Sequence, residues 1–185
     1  MHRSSIALDR LILRPPTEAD AEAIYRNWAT DPEVARYVMW RAHRSLDDTA
    51  AYMSHMAKGW ESGAEFTWMI CLKPSPEAVG AITLRKDGFK GNMGYVLARR
   101  HWNKGYMSEA GRAVVDLFFA DPETVRVGAY CDIDNAASAR VMEKMGMSRE
   151  GVLKSWLVHP GQSEAPRDCL SYAITREEWV RGRSG

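Results

Sequence analysis

A basic turn that contains glycine, between a predicted strand and a predicted helix, is the segment of this chain best suited to bind a charged ligand. Within residues 92–110, an apolar run leads into Arg99 and Arg100, then Lys104 and Gly105, and then a helix-like pattern. The first turn of a helix offers backbone N–H groups without internal partners and the positive end of the helix dipole, and both attract anions. The pattern therefore predicts a phosphate site at this turn.

The phosphate interpretation of this turn has a structural alternative. A glycine between a strand and a helix is often required only by the backbone conformation, so Gly105 alone does not establish a ligand. The nucleotide-binding patterns G-x-x-x-x-G-K-[ST] and G-x-G-x-x-G are both absent from the sequence. A phosphate at this turn would therefore belong to a different class of ligand.

Length and composition indicate one soluble domain. The chain has 185 residues, enough for a single core, and a formal net charge of +1, which favours neither nucleic acid nor an anionic membrane as a partner. Cys71, Cys131 and Cys169 match neither a metal-ligand spacing nor a disulfide framework, and no leader sequence is recognised. The cysteines therefore predict a reduced, cytoplasmic setting and no metal site. No apolar run reaches the roughly 20 residues that span a bilayer, so we expect a soluble protein.

Periodicity and turn signals divide the chain into strands and helices within one continuous domain, residues 1–185. Thr17 and Ser45 each precede an acidic residue by three positions, which is typical of a helix start, and Gly63 and Gly146 are suited to end helices. The predicted strands cover residues 11–13, 66–72, 79–85, 93–97, 125–131, 151–158 and 169–174, and predicted helices follow Thr17, Ser45, Tyr106, Asn135 and Thr175. This succession predicts an α/β architecture.

A second polar cluster lies at the start of one of these predicted helices. Asn135 is a favoured helix N-cap, Ser138 lies in the first turn, and Lys144 suits the C-terminal end. Taken alone, these residues only stabilise a helix. Their position after a strand, a basic turn, a helix and a further strand completes an order of elements that can be recognised.

This order resembles that of the Gcn5-related N-acetyltransferases (GNAT), and within them the branch of the ribosomal-protein N-terminal acetyltransferases (RimJ/RimL-like). The resemblance covers nearly the whole chain. It rests on five segments in the family's order: residues 11–20 (LILRPPTEAD) with 30–34 (TDPEV), 94–97 (GYVL), 102–110 (WNKGYMSEA), 135–147 (NAASARVMEKMGM) and 168–179 (DCLSYAITREEW).

The resemblance implies a single-domain α/β (α+β) fold, in which a mixed, mostly antiparallel sheet is splayed at the cofactor-binding strands and flanked by helices. It also implies acetyl-CoA as cosubstrate, with its pantetheine arm paired to the splayed strand and its diphosphate on the basic turn. The residues implied in binding coenzyme A are Tyr95, Val96, Leu97, Asn103, Lys104, Gly105, Tyr106, Met107, Ser108 and Asn135.

The same resemblance implies acetyl transfer to a primary amine by direct attack in a ternary complex. Such a site must remove a proton from the amine, polarise the thioester carbonyl and protonate the leaving thiolate. A backbone N–H near Val96 or Leu97 is expected to polarise the carbonyl. Many relatives outside the branch have a tyrosine acid where this chain has Met142. The resemblance to the ribosomal-protein branch suggests Ser138 as the acid instead, although its hydroxyl could equally serve the helix start.

The general base is left unassigned by the sequence. Asn92 stands where many relatives in the branch have a glutamate, and an amide cannot accept a proton at ordinary pH. The remaining options are Tyr130 and water held by Asp132, Asp134 or His101. A non-catalytic module that binds acyl-CoA is therefore the alternative to an enzyme.

The acceptor is expected to be a protein N-terminus or a small-molecule amine, in a pocket formed by the first two helices and the late hairpin. Six aromatic residues fall in these segments: Trp28, Tyr37, Trp40, Trp60, Trp68 and Trp156. Core packing is the favoured role of such side chains, but any that line the pocket would suit a flat or cationic amine. The sequence leaves a monomer and a homodimer equally open.

Overall fold

An eight-stranded sheet with helices on both faces is the framework of the protein in a computed structural model, which describes residues 4–183. The strands are β1 (Ile6–Ala7), β2 (Leu11–Arg14), β3 (Glu65–Leu72), β4 (Ala78–Asp87), β5 (Lys90–Leu97), β6 (Arg126–Asp132), β7 (Ser148–Leu157) and β8 (Arg167–Thr175). The helices are α1 (Asp20–Ile24), α2 (Pro32–Ala35), α3 (Leu46–Ser62), α4 (Tyr106–Phe119), α5 (Ala136–Lys144) and α6 (Arg176–Arg183).

The strands lie in the order β1-β2-β3-β4-β5-β6-β8-β7, and all neighbours among the described strands are antiparallel except β5 and β6. This mixed, mostly antiparallel sheet confirms the predicted fold class. The predicted single domain over residues 1–185 also includes residues 1–3 and 184–185, which lie outside the described residues.

Local signals account for the ends of the main helices. Helix α3 begins where Ser45 Oγ accepts the N–H of Asp48 at 3.3 Å, and it ends at Gly63, whose φ of 70° is left-handed and suits glycine. Before α6, the N–H of Thr175 donates to Glu178 Oε2 at 2.8 Å. These contacts confirm the helix boundaries predicted at these residues.

Three short elements escape prediction from the sequence. They are β1, α2 and a 3-10 turn, Arg99–His101. A π-helical turn, Tyr25–Ala29, continues α1 within the helix predicted after Thr17. Strand β1 has two residues and α2 has four, so neither is long enough to show a period of apolar residues. The conformation of such short segments depends on contacts with distant parts of the chain.

The sheet separates two apolar cores. Along β3 the side chains alternate: Trp68 and Ile70 join the core under α4 and α5, whereas Met69 and Cys71 join the core under α1 and α3. All four side chains are buried. Burial on both faces explains why the central strands have continuous apolar sequences.

Strand β7 is irregular where it runs along β8. The register between the two strands shifts from Arg149 to Gly151 and again from Leu153 to Leu157, and Ser155 has a left-handed φ of 47°. Asp168 holds the second irregularity, because its Oδ1 accepts the N–H of Ser155 at 2.9 Å. This bulge changes which side chains face each side of the sheet.

Candidate functional site

The sheet opens between β5 and β6. Strand β4 pairs with β5 over residues 90–97, whereas β6 pairs with β5 over residues 90–93 only. The second half of β5 therefore has no strand beside it on the β6 side. This observation agrees with the splayed sheet expected from the sequence.

Backbone groups of β5 point into this gap. The N–H of Ala98 donates to Val79 O at 2.8 Å across the β4–β5 pair, so Val96, two residues earlier, also faces β4. Alternation along the strand turns the N–H groups of Tyr95 and Leu97 toward the gap. Of the two predicted donors to a thioester carbonyl, Leu97 is thus the one placed to donate there.

The turn from β5 to α4 exposes further N–H groups. Trp102 Nε1 donates to Leu97 O at 2.7 Å, and Asn103 and Gly105 have left-handed φ values of 60° and 78°. No side chain of the described residues caps α4, so the N–H groups of residues 106–108 are left for a ligand. This is the geometry of an anion site.

The side chains of this turn differ in exposure. Asn103, Lys104 and Gly105 are exposed, and Tyr106 is half-buried. Residues 107 and 108 are buried, and Met107 packs into the core below the helix. Met107 therefore offers a ligand its backbone N–H rather than its side chain.

Arg10, which the sequence analysis did not single out, fastens the turn to the start of β2. Its Nη1 donates to Lys104 O at 3.0 Å, and its Nε donates to Glu109 Oε2 at 2.7 Å. Its guanidinium also lies 4.7 Å from the centre of the Tyr106 ring. Arg10 and Glu109 are 99 positions apart, so no local pattern could predict this contact.

Asn135, Ser138 and Tyr95 meet at the start of α5. Asn135 Oδ1 accepts the N–H of Ser138 at 3.1 Å, so the asparagine caps the helix as predicted. The Ser138 hydroxyl is not part of this cap, since its Oγ lies 2.7 Å from the hydroxyl of Tyr95. Tyr95, predicted to contribute through its backbone, thus also contributes its hydroxyl to a pair with Ser138.

Burial keeps the groups around this hydroxyl pair protonated. Burial raises the pKa of the Tyr95 phenol, against a smaller opposite effect of the hydrogen bond with Ser138. Burial, with the nearby Cys169 and Asp132, raises the pKa of the Cys131 thiol to about 12. The Tyr95 phenol and the Cys131 thiol are therefore both protonated at neutral pH, and the thiol is not a nucleophile.

A cavity of about 350 Å³ opens on the other face of the sheet, where β5 and β6 begin to separate. Its lining residues include Asn92 and Gly128, which are paired in register, and Tyr130 and Trp156. Asn92, which stands at the position of the family's glutamate, therefore faces this cavity. Met142 is fully buried in the core, in keeping with packing rather than acid catalysis.

Two of the carboxylates considered for holding a catalytic water belong to an ion network. Arg167 donates through Nε to Asp132 Oδ2 and through Nη2 to Asp134 Oδ2, both at 2.6 Å. Burial alone would raise the pKa of Asp132, but the hydrogen bonds and charge of Arg167, together with the N–H of Asp134 and the nearby His159, hold that pKa below its usual range. His101 lies in the turn before α4, where burial and neighbouring positive charges lower its pKa. The general base stays unassigned.

The predicted aromatic residues divide between core and cavity. Trp28, Trp60 and Trp68 are buried in the cores, which confirms packing as their role. Tyr37 and Trp40 are half-buried. The late hairpin supplies Trp156 to the cavity, whereas α1 and α3 supply none of its lining among the described residues. The acceptor pocket expected between these helices and the hairpin stays a prediction.

Within residues 4–183, no three side chains of His, Cys, Asp or Glu come together as a metal site. Over the same residues, no helix has both the length and the apolar character needed to cross a membrane.

Comparison with known proteins adds to this geometry. The profile of the acetyltransferase (GNAT) domain matches residues 10–148. The uncharacterized N-acetyltransferase YoaA of Bacillus subtilis (strain 168) is 32% identical over 171 residues, which cover 91% of this chain and 94% of that protein.

Solved structures have the same fold. A GNAT-family acetyltransferase from Bacillus anthracis is similar with a TM-score of 0.81 and 28% identity, covering 94% of this chain and 99% of that one. RimJ of Mycobacterium smegmatis, solved in complex with CoA-disulfide, has a TM-score of 0.79 at 24% identity, covering 91% of this chain and 83% of its own. The resemblance stated from the sequence is thereby confirmed, and this chain belongs to the GNAT acetyltransferase family.

Proposed function

We propose that this protein transfers an acetyl group from acetyl-CoA to a primary amine, either a protein N-terminus or a small molecule. The observation that carries the proposal is the half-paired strand β5, which leads directly into the uncapped N-terminus of α4. The unpaired N–H groups of β5 are thus followed by those of the first turn of α4, and one elongated ligand could bind both.

Coenzyme A has the chemistry that fits these donors. Its pantetheine arm carries amides that can pair with the N–H groups of Tyr95 and Leu97 and with the C=O of Tyr95, as an added strand would. The C=O of Leu97 is already occupied, because it accepts the Trp102 Nε1–H. Its diphosphate suits the N–H groups of α4, which Gly105 leaves accessible because it has no side chain. RimJ, which has a similar fold, binds CoA-disulfide, and this supports the same ligand here.

The chain's own residues would divide the catalytic work. Acetyl-CoA supplies a thioester whose C–S bond breaks as the amine nitrogen bonds to the acetyl carbon. The N–H of Leu97 is placed to stabilise the carbonyl oxygen. The nitrogen would lose a proton to water as the new bond forms. The Ser138 hydroxyl would give its proton to the departing sulfur and regain one from Tyr95, whose oxygen is 2.7 Å away, and Tyr95 would in turn take a proton from water.

A matched pair of glycine variants tests the binding site. Gly105 and Gly63 have similar left-handed φ values of 78° and 70°, so an aspartate brings similar strain to both. We expect Gly105→Asp to weaken coenzyme A binding at least tenfold relative to Gly63→Asp, because it puts a negative charge where the diphosphate would lie. Isothermal titration measures both, and equal affinities would contradict the site.

Turnover separates the enzyme from the non-catalytic alternative. Release of free thiol from acetyl-CoA is followed with amino acids, small amines and N-terminal peptides of ribosomal proteins. We expect at least one amine to raise the rate above hydrolysis. Tight coenzyme A binding without such a rise for any amine would favour the acyl-CoA-binding module.

A further expected result concerns Arg10. Replacing Arg10 with alanine should raise the KM for acetyl-CoA about tenfold with kcat within about twofold, because it releases the turn that holds the diphosphate. Arg183→Ala is the matched control, since Arg183 also pairs with a carboxylate, Asp116, and lies over a ring, Trp179. A fall in kcat without a change in KM would contradict a role in positioning the turn.

A further inference from the structure

The bulge in β7 brings together two side chains that a regular strand would separate. Both point into the cavity of about 350 Å³ beside β5 and β6. Leu153 and Trp156 are three residues apart, so in a regular strand they would point to opposite faces. Both line the cavity, because the register shifts between Leu153 and Leu157 and Ser155 adopts a φ of 47°. A non-glycine residue in this conformation is uncommon and is often kept for function.

The cavity presents an aromatic pair to solvent. Trp156 is 48% exposed and Tyr130 is 39% exposed, and their rings meet edge to face with centroids 5.7 Å apart. Gly128, beside Asn92 on the neighbouring strand, adds no side chain to the floor. The floor of the cavity is therefore open at Gly128, and the rings of Trp156 and Tyr130 form one side of it, the aromatic wall.

The cations that line this cavity all have carboxylate partners. Arg85 Nε lies 2.6 Å from Glu65 Oε2, and Lys90 Nζ lies 3.1 Å from Asp87 Oδ2. Arg126 is paired with Glu150. Because these charges are compensated, the cavity has little net charge with which to select an anionic or a polycationic acceptor.

We infer that the acceptor is an amine with a flat aromatic group a few bonds from its nitrogen, which packs on Trp156 and Tyr130 above Gly128. The inference rests on the proposed function and specifies its substrate class. The volume of about 350 Å³ suits a group of this size. Tyr130 directly follows Ala129, the last residue of β6 that pairs with β5, so a ring on this wall lies beside the opening where the acetyl group would be presented.

Matched amines test the substrate class. The measured quantity is kcat/KM for 2-phenylethylamine against 2-cyclohexylethylamine and butylamine, and for peptides that begin with phenylalanine against leucine. We expect the aromatic member of at least one set to be about tenfold better, and the better set tells whether the source is a small molecule or a chain terminus. Equal values within both sets would overturn the inference and leave the proposed acetyltransferase standing.

Variants tie the preference to the aromatic wall. Trp156→Ala should bring the ratio of aromatic to aliphatic kcat/KM to about 1, and Phe89→Ala, an exposed ring outside the cavity lining, should leave it unchanged. Asp168→Ala, which releases the bulge without touching the cavity, should lower the ratio as well. A ratio that survives Trp156→Ala would contradict the inference.

Direct binding keeps the inference testable without turnover. Tryptophan fluorescence, titrated with 2-phenylethylamine in the presence of coenzyme A, should change in the wild type and in Phe89→Ala but not in Trp156→Ala. Binding without turnover would count against the proposed function and support the aromatic site. Turnover of aliphatic amines without such binding would do the reverse.

Discussion

Replacing Ser138 with alanine is expected to lower kcat for acetyl transfer about 100-fold, with the affinity for coenzyme A within about twofold of wild type. The reason is the proposed role of its hydroxyl at the start of α5, which is to protonate the departing sulfur. The helix cap does not depend on this hydroxyl, because Asn135 Oδ1 accepts from the Ser138 backbone N–H. Steady-state kinetics and titration with coenzyme A measure the two effects separately.

Tyr95 extends this test. Tyr95→Phe keeps the ring but removes the hydroxyl 2.7 Å from Ser138 Oγ, and we expect kcat to fall about tenfold. If the two hydroxyls act in sequence, the double variant should be hardly worse than Ser138→Ala alone. Near-normal kcat in both single variants, with a lower melting temperature, would show that the pair only stabilises the fold.

The second large effect is expected in stability. Replacing Arg167 with alanine should lower the free energy of unfolding by about 3 kcal/mol at pH 7, because it leaves the fully buried carboxylate of Asp132 without its counter-charge. Arg26→Ala is the control, since the ion pair of Arg26 with Glu77 is exposed and should be worth less than about 1 kcal/mol. Urea unfolding measures both variants.

The pH dependence of this loss has a definite sign. In the wild type the pKa of Asp132 lies below its ordinary value, so the ion pair stabilises the fold above about pH 4 and its contribution disappears as the pH falls toward the folded-state pKa. Without Arg167, burial is opposed only by the N–H of Asp134 and by His159, whose Nε2 lies 3.7 Å from Asp132 Oδ2, and we expect burial to raise the pKa of Asp132 instead. The difference between wild type and Arg167→Ala should therefore shrink from pH 7 to pH 4, and a constant difference would contradict this account.

Features with a local cause could be predicted from the sequence. Helix α3 is bounded by Ser45 and Gly63, and Asn135 caps α5, because capping depends on residues within one turn of each other. The order of β5, the basic turn and α4 predicted an opening for a ligand, and the structure has both the gap and the uncapped helix.

Features that join distant parts of the chain could not be predicted in this way. Arg10 reaches a turn more than ninety positions away, and Tyr95 meets Ser138 only because β5 and α5 pack together. The bulge at Ser155 has no glycine to signal it and depends on Asp168 in the next strand. In each case, the two residues are far apart in the sequence, and only the fold brings them into contact.

The irregular strand β7 also limits how copies of the chain can associate. A ten-residue strand at the margin of a sheet would normally offer a template on which another chain could add a strand and begin to aggregate. Two register shifts interrupt that template, and Arg149, Glu150 and Lys154 place charges along it. At the other margin, β1 has only two residues. Both edges of the sheet are therefore protected against the addition of a further strand, even though the sheet has a gap between β5 and β6.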